Sequence, residues 1–330
     1  MRALFIGLGS IGRRHLRILR ELAPGAEVSA LRSGQGPASV PELAAAQGRS
    51  FRALDQALEE RPDFAVVANP TSRHVETALT LAKAGVPFLL EKPVGLQEAG
   101  LEELAAAVAE RGLPVLVGLQ LRYHPAFAQL SAWLQQGAVG HPLSLQAEVG
   151  QWLPDWRPEV DYRASQTARA ELGGGVILEL VHELDLALAC LGPAASVACV
   201  ADHVSGLEMD AEDLAEISTL HASGGLSQVH LDCIQPGYTR WLKVIGEEGV
   251  IMWQQDAGWL ELRRPGQAPQ RVSDPPGFER DDLFRSQMRH WLAVLAGQEE
   301  PRVSLAQGIA ATRLALSAKR AAAEQRTVQP

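Results

Sequence analysis

The first 22 residues contain the feature that most limits how this chain can fold. An apolar run from Ala3 to Ile6 leads directly into Gly7, Gly9 and Gly12, and a helical pattern follows to about Leu22. A strand, a G-x-G-x-x-G turn and a helix, in this order, form a βα unit that holds a dinucleotide diphosphate. The first glycine permits the turn, the second leaves room for the diphosphate, and the third lets the helix pack closely. The alternative is a glycine-rich turn in another kind of α/β protein.

Strand and helix patterns alternate through the first 120 residues. Segments such as Phe64 to Ala68 and Pro87 to Leu90 are almost continuously apolar, as expected for strands that are covered on both faces. Helical patterns separate them, for example around Val40 to Gln47 and His74 to Lys83. The alternation predicts an α/β fold with a parallel sheet, and we assign residues 1–119 to a Rossmann dinucleotide-binding domain.

The pattern changes after Gly118. A long helix is predicted from Gly175 to about Leu191, and most of the segments around it contain β-forming residues between Gly, Asp and Pro turns. We assign residues 120–330 to an α+β domain with a largely antiparallel open sheet, whose C-terminal helix could pack back on the first domain. The predicted strands of this domain are Leu143–Gln151, Val197–Val204, Ala215–His221, Leu226–Cys233, Trp241–Ile245, Gly249–Gln254 and Trp259–Arg263.

Composition narrows the possible partners and the cellular compartment. The chain has 330 residues, 46% of them hydrophobic, and a formal net charge of -9, which argues against a nucleic-acid or anionic-membrane surface. Cys190, Cys199 and Cys233 have neither an even count nor a metal-ligand spacing, so we expect thiols in a reducing compartment. No apolar stretch is long enough for a membrane span and no signal peptide is evident. We expect a cytoplasmic protein.

Polar residues follow two of the predicted parallel strands. Asn69, Thr71 and His74 come after the strand that ends at Ala68, and Glu91-Lys92-Pro93 comes after the strand that ends at Leu90. Ligands bind beyond the carboxyl ends of strands in open α/β sheets. A lysine at this edge is a donor that could stabilise an alkoxide formed from a substrate hydroxyl. The alternative for Lys92 is a solvated lysine at the end of a strand.

The residues after the second strand bear on the choice of cofactor. NAD-binding proteins commonly have an acidic residue there that binds the ribose 2′-hydroxyl. This chain has Arg32 and Ser33 instead, which suit a 2′-phosphate, so NADP is favoured over NAD. The alternative is that Arg32 stacks on adenine, in which case both cofactors are usable.

The long helix of the second domain contains a candidate acid/base group. Glu179, His182 and Asp185 follow one another at intervals of three residues, so they form a stripe on a continuous helix. Imidazole titrates near neutral pH and is suited to proton transfer. A His-Glu-x-x-His zinc site is excluded because Leu186 occupies the second histidine position, and we expect no metal.

Taken together, these motifs resemble the Gfo/Idh/MocA oxidoreductases, which are related to glucose-fructose oxidoreductase and inositol dehydrogenase. The resemblance rests on the N-terminal glycines, Pro70-Thr71-x-x-His74, Glu91-Lys92-Pro93, and the Gly173-Gly174-Gly175 helix with His182 and Asp185. It implies hydride transfer between a nicotinamide and a sugar, nucleotide-sugar or polyol carbon. It also implies a substrate-binding second domain that forms homodimers or homotetramers through its sheet.

The resemblance, together with the residue patterns, supplies the candidate site residues. Lys92 is implied to lie beside the reacting hydroxyl and His182 to act as acid/base, with Glu179 or Asp185 positioning it. Many relatives have an aspartate four residues before this histidine, so Glu179, three residues before it, departs from the family pattern. The cofactor-binding candidates are Gly7, Gly9, Ser10, Ile11, Gly12, Arg32, Ser33, Asn69, Pro70, Thr71, His74, Glu91, Lys92 and Gln120.

Aromatic and basic residues in two segments are candidates for substrate contact. Rings of this kind stack on sugar faces, and arginines bind carboxylate or phosphate groups. A structural loop held by its aromatic residues is the alternative. The segment from Gln151 to Arg163 also resembles a subgroup linked to bacterial surface-sugar biosynthesis, which implies an acidic or nucleotide-linked sugar. The substrate candidates are Arg122, Tyr123, Trp152, Trp156, Arg157, Tyr162, Arg163 and His182.

Two other functions remain open on the sequence alone. A related enzyme could use tightly held NAD to oxidise a sugar transiently and so cleave a glycosidic bond. A dinucleotide-binding redox regulator would need no catalysis, although Lys92 and His182 together disfavour it.

Overall fold

Six parallel strands form the first sheet of the protein. The structure is a computed structural model that describes residues 1–34 and 39–330. The strands lie in the order β3-β2-β1-β4-β5-β6, so the order reverses between β1 and β4. Both faces of the central strands are buried, as the continuous apolar runs predict. These strands are β1 (Arg2–Ile6), β2 (Glu27–Leu31), β3 (Arg49–Phe51), β4 (Phe64–Val67), β5 (Phe88–Leu90) and β6 (Val115–Val117).

Ten α-helices are found in the described part of the chain. The predicted helix near Val40 is short, and its Pro41 occupies the first turn, where proline is tolerated. The α-helices are α1 (Ser10–Leu22), α2 (Pro41–Ala45), α3 (Leu54–Glu59), α4 (His74–Ala84), α5 (Leu101–Arg111), α6 (Pro125–Gln135), α7 (Val176–Glu179), α8 (His182–Leu191), α9 (Arg280–Leu295) and α10 (Leu305–Glu324).

The second sheet has eight strands in the order β14-β13-β12-β11-β7-β10-β9-β8. All of its strand pairs are antiparallel except β7 with β10, so the sheet is mixed and mostly antiparallel. One face carries the buried side chains Ile217, Val229, Ala147, Leu242 and Trp253, and α8 packs against β7 and β10. The strands are β7 (Pro142–Gly150), β8 (Ala194–Asp202), β9 (Leu214–His221), β10 (Leu226–Asp232), β11 (Thr239–Gly246), β12 (Val250–Gln254), β13 (Trp259–Arg263) and β14 (Gln270–Ser273).

The chain divides into two compact units that are not continuous in sequence. The first unit contains Met1–Tyr123 and Glu279–Ile309, and the second contains His124–Phe278 and Ala310–Pro330. In the first unit, α9 packs against α1, and Trp291 of α9 contacts the Phe64 ring edge-on. The parallel sheet of the first unit and the mixed sheet of the second confirm the predicted fold class.

The helix predicted from Gly175 to Leu191 is interrupted. It forms two helices, α7 and α8, because Leu180 has a ψ of 29° rather than the α-helical value of about -42°. Glu179 therefore ends one helix and His182 begins the next, so the spacing argument that placed them on one helix face does not apply. In the described residues, no helix is both long and apolar enough to cross a membrane.

Candidate functional site

The three N-terminal glycines occupy positions with different spatial demands. Gly7 has a φ of 92°, and a Cβ there would lie 2.6 Å from the carbonyl oxygen of Ala68. A Cβ at Gly12 would overlap the carbonyl oxygen of Gly7. A Cβ at Gly9 would have no described atom within 4 Å. Two glycines are thus required by the fold itself, whereas Gly9 leaves open space beside the backbone.

The start of α1 fits an anion. Gly9 is its N-cap residue and supplies no side-chain cap, and the first turn contains no acidic residue. Backbone N–H groups at the beginning of a helix point away from it and favour negative charge. Ser10, Ile11 and Gly12 form this first turn, so these residues and the space beside Gly9 suit a dinucleotide diphosphate.

The carboxyl ends of the other parallel strands lie along the same edge. Backbone hydrogen bonds continue past the ends of neighbouring strands. The N–H groups of Gly7, Glu91 and Gly118 donate to the carbonyl oxygens of Leu31, Val67 and Leu90, respectively. Arg32 and Ser33 follow β2 at this edge, where Arg32 is half-buried and Ser33 is exposed. The strand order reverses between β1 and β4, which is where open α/β sheets bind dinucleotides.

His74 joins two of the candidate segments. Its Nδ1 lies 2.8 Å from the carbonyl oxygen of Pro93, and its Nε2 lies 2.9 Å from that of Asn69. Burial lowers the pKa of His74, although the two carbonyl contacts oppose this effect. The Asn69 side chain donates to the hydroxyl of Thr77 at 2.9 Å. Both nitrogens of His74 are therefore engaged with backbone oxygens, and the ring links the segments after β4 and β5.

Pro70 and Thr71 lie between these hydrogen-bonded residues. Pro70 is exposed, while Thr71 is buried in a short 3₁₀ turn that precedes α4.

Glu91 is held by a residue that the sequence interpretation did not select. The His15 Nε2–H donates to the Glu91 carboxylate at 2.7 Å, and both side chains are buried. The backbone N–H of Lys92 donates to the other carboxylate oxygen at 3.3 Å. A Cβ at Gly118 would lie 2.9 Å from this carboxylate, so the glycine leaves room for it. His15 lies on α1, three residues after Gly12; no motif on its own indicates its partner 76 residues away.

Gln120, Arg122 and Tyr123 form a 3₁₀ turn that follows β6 in the first unit. Gln120 is buried and Arg122 is half-buried. The centroids of the Tyr123 and His290 rings are 5.6 Å apart. The guanidinium carbon of Arg302 lies over the Tyr123 ring, 4.9 Å from the centroid of that ring. These contacts give Tyr123 a packing role in the first unit.

In the second unit, the glycines before α7 allow close packing of the backbone. A Cβ at Gly174 would lie 2.5 Å from the carbonyl oxygens of Gln166 and Thr167. Gly175 has a φ of 93°, and a Cβ there would overlap the carboxylate of Glu212. The Lys319 ammonium lies 2.7 Å from this carboxylate. A half-buried carboxylate with a lysine partner thus lies against the turn from which α7 starts.

The three acid/base candidates have distinct surroundings within this unit. Glu179 is half-buried and accepts a hydrogen bond from the Gln166 side chain at 3.1 Å. His182 and Asp185 are both buried on α8, one turn apart. Glu183, between them, forms a 2.8 Å ion pair with Arg240 of β11. This pair, also unpredicted, anchors the first turn of α8 to the sheet.

The segment from Trp152 to Arg163 is held by local contacts and by contacts with Glu208. The Trp156 indole N–H donates to the carbonyl oxygen of Gln151 at 2.8 Å, and Trp152 is half-buried. The Tyr162 hydroxyl accepts the N–H of Glu208. Arg163 pairs with Asp161 at 2.8 Å and with Glu208 at 3.1 Å.

Arg157 differs from Arg163 in its surroundings. It is exposed, and no ion pair involves it in the residues that the structure describes. Of the two arginines in this segment, Arg157 is the one available to an anion, because the charge of Arg163 is already compensated by two carboxylates.

The first-unit candidates therefore come together at one edge of the parallel sheet, apart from Tyr123, which is packed among side chains. The second-unit candidates divide between α7–α8 and the aromatic segment. Within residues 1–34 and 39–330, no group of three or more His, Cys, Asp or Glu side chains could hold a metal ion.

Comparison with known proteins gives two family matches. Residues 1–119 match a model described as an oxidoreductase family with an NAD-binding Rossmann fold, and residues 127–252 match the GFO/IDH/MocA C-terminal domain. D-apiose dehydrogenase from Paraburkholderia graminis is 26% identical, covering 98% of this chain and 88% of that protein. Inositol 2-dehydrogenase 2 from Paenarthrobacter aurescens is 28% identical, covering 92% of this chain and 90% of that protein.

Solved structures share the fold over the full length. Levoglucosan dehydrogenase in complex with NADH superposes with a TM-score of 0.88 at 17% identity, covering 100% of this chain and 98% of that one.

Proposed function

Because the chain belongs to the Gfo/Idh/MocA family of oxidoreductases, we propose that it is a nicotinamide-dependent dehydrogenase. Its reaction is hydride transfer between the nicotinamide and a hydroxyl-bearing carbon of a sugar or polyol. Relatives named for D-apiose and inositol favour this substrate class. The proposed chemistry depends on the same residues as the motifs that predicted the family.

The position of Lys92 carries the proposal. It directly follows a carboxylate that is buried and fixed by His15, at the sheet edge that also holds the glycine turn. A strand-end lysine with no functional role needs no such support. The open space at Gly9 and the uncapped start of α1 fit a dinucleotide at the same edge.

Each catalytic candidate has a separate task in this proposal. The Lys92 ammonium donates to the substrate hydroxyl oxygen and stabilises the negative charge that develops on it. His182 accepts the hydroxyl proton as the carbon is oxidised and returns it in the reverse direction. Asp185, or Glu179, orients the imidazole. When bound, the nicotinamide supplies the hydride acceptor.

We further propose NADP as the preferred cofactor. Arg32 and Ser33 directly follow β2, at the position where an acidic residue would bind the free 2′-hydroxyl of NAD. A guanidinium favours the charged 2′-phosphate instead.

Two broader properties complete the proposal. Homodimers or homotetramers form through the mixed sheet, and the exposed apolar side chains of Val200, Leu220 and Leu226 on β8, β9 and β10 support this. We also propose a cytoplasmic location, because Cys190, Cys199 and Cys233 have neither an even count nor a metal-ligand spacing, which suits a reducing compartment.

Turnover with a panel of free sugars, polyols and nucleotide sugars tests the function. We expect absorbance of the reduced nicotinamide to change with at least one substrate, and Lys92→Ala and His182→Ala each to lower turnover by about 100-fold or more. Both variants should still bind the cofactor, as measured by energy transfer from tryptophan to the reduced nicotinamide. The exposed residues Lys83 and His141 give matched controls as Lys83→Ala and His141→Ala.

Two results would contradict this assignment. Unchanged turnover in Lys92→Ala or His182→Ala would remove that residue from the mechanism. Product formation without net change in the nicotinamide, by an enzyme that retains its cofactor through purification, would favour transient oxidation and glycosidic cleavage.

A further inference from the structure

A second arginine lies at the sheet edge next to Arg32. β2 and β3 are parallel neighbours, with Ala30 paired to Ser50 and Leu31 to Phe51. The Arg32 N–H donates to the Phe51 carbonyl oxygen at 3.1 Å, so the ladder continues past both strands. The residue that directly follows β3 is Arg52. Two arginines therefore follow the carboxyl ends of adjacent strands, although they are 20 positions apart in the sequence.

The side chain of Arg52 reaches back over the segment after β2. A Cβ built on Gly34 would lie 2.6 Å from the guanidinium carbon of Arg52 and would overlap its Nη1. Gly34 also has a φ of 84°, which disfavours any other residue. The glycine thus lets the Arg52 guanidinium lie against the backbone directly after Ser33.

No ion pair or hydrogen bond among the described residues gives the exposed Arg52 guanidinium a structural role. By contrast, Arg49, three positions earlier on β3, forms an ion pair with Glu60. An exposed guanidinium that lies against a glycine and has no carboxylate partner among the described residues keeps its donors available to an anion.

We propose that Arg52 binds the 2′-phosphate of NADP together with Arg32. The ribose 2′-group of a dinucleotide lies at the end of β2, and a guanidinium can bind phosphate through two parallel hydrogen bonds. Gly34 makes this possible because it leaves the space that the guanidinium fills. Arg52 is then a specificity-determining residue. This inference rests on the proposed dinucleotide binding and adds a residue that the β2 motif does not contain.

Parallel titrations with NADPH and NADH test the proposal. We expect Arg52→Gln to weaken NADPH binding by about tenfold or more, as for a lost hydrogen bond to a charged group, with little change for NADH. Arg52→Lys should recover only part of the loss, since an ammonium lacks the planar fork. Arg49→Gln is the matched control and should leave both affinities unchanged.

A fragment measurement separates the 2′-phosphate from the rest of the cofactor. Calorimetry with 2′,5′-ADP and with 5′-AMP should show tighter binding of 2′,5′-ADP to the unmodified protein, and Arg52→Gln should remove this difference. We also expect the difference in affinity between 2′,5′-ADP and 5′-AMP to fall steeply as the salt concentration rises, because the charge pair is exposed.

Different failures have different meanings. Equal weakening of NADPH and NADH by Arg52→Gln would overturn the inference, because it would indicate adenine stacking or a structural role. No effect of Arg52→Gln on either cofactor would overturn it as well. If the unmodified protein bound neither NADPH nor NADH, the proposed function would fail first and this inference with it.

Discussion

At the scale of single residues, the buried pair of His15 and Glu91 makes stability depend on pH. Burial opposes ionisation of Glu91, but the hydrogen bond from His15 and the nearby positive charges outweigh it and lower the pKa of this carboxyl. Since the folded-state pKa lies below the unfolded value of about 4.3, the pair stabilises the protein above that pH. Its contribution is lost as pH falls through the lower, folded-state pKa.

Glu91→Gln tests this contribution. We expect the variant to lose about 2 kcal/mol of unfolding free energy at neutral pH, because a neutral amide replaces the charged acceptor of the His15 hydrogen bond. The loss of stability below about pH 4 should be smaller than in the unmodified protein. Urea unfolding at several pH values measures both effects, with the exposed Glu76→Gln as control. Parallel pH profiles for the unmodified protein and Glu91→Gln would show that the pair contributes no acid sensitivity.

At the scale of elements, the turn between β1 and α1 separates folding from binding. A methyl group at Gly12 would overlap the carbonyl oxygen of Gly7, so Gly12→Ala should cost about 2 kcal/mol and lower the melting temperature. A methyl group at Gly9 would meet no described atom within 4 Å, so Gly9→Ala should unfold like the unmodified protein. Its NADPH and NADH affinities should nevertheless fall, because the methyl group occupies the space expected for the diphosphate. Normal cofactor binding by Gly9→Ala would place the diphosphate elsewhere.

The elements that could be predicted are those with a local cause. The strand, glycines and helix up to Leu22 follow from neighbouring residues, and so does the parallel sheet. The sequence did not predict β3 (Arg49–Phe51) or α3 (Leu54–Glu59). A three-residue strand and a six-residue helix contain too few residues to show a repeating pattern of apolar side chains. The break at Leu180 was also missed, since the apolar pattern continues through it.

The candidate site was predictable only in part for a related reason. Motifs identify residues that are close in sequence, such as Glu91 with Lys92. The partners of these residues, His15 for Glu91 and Arg240 for Glu183, are 76 and 57 positions away. Long-range pairs of this kind depend on which elements pack together, and no spacing in one segment specifies them.

At the scale of the whole molecule, the mixed sheet has one face of interest for assembly. Leu220 of β9 pairs with Leu226 of β10, and their exposed fractions are 42% and 55%. Val200 of β8, at 73%, is also exposed. Alternation along β9 and β10 directs these leucines away from the buried face that α8 covers. Apolar side chains grouped on an exposed sheet face are typical of interaction surfaces.

If copies of the chain associate through this face, charge placed there should separate them. Each chain has a mass of 35.5 kDa, so light scattering after gel filtration should give two or four times this value for the unmodified protein. Leu220→Glu combined with Leu226→Glu should shift the mass to that of one chain, because burying two carboxylates opposes association. Val204→Glu adds one carboxylate at an exposed position outside the strands and should leave the mass unchanged. An unmodified protein with the mass of one chain, or a double variant that retains the larger mass, would exclude this face as the interface.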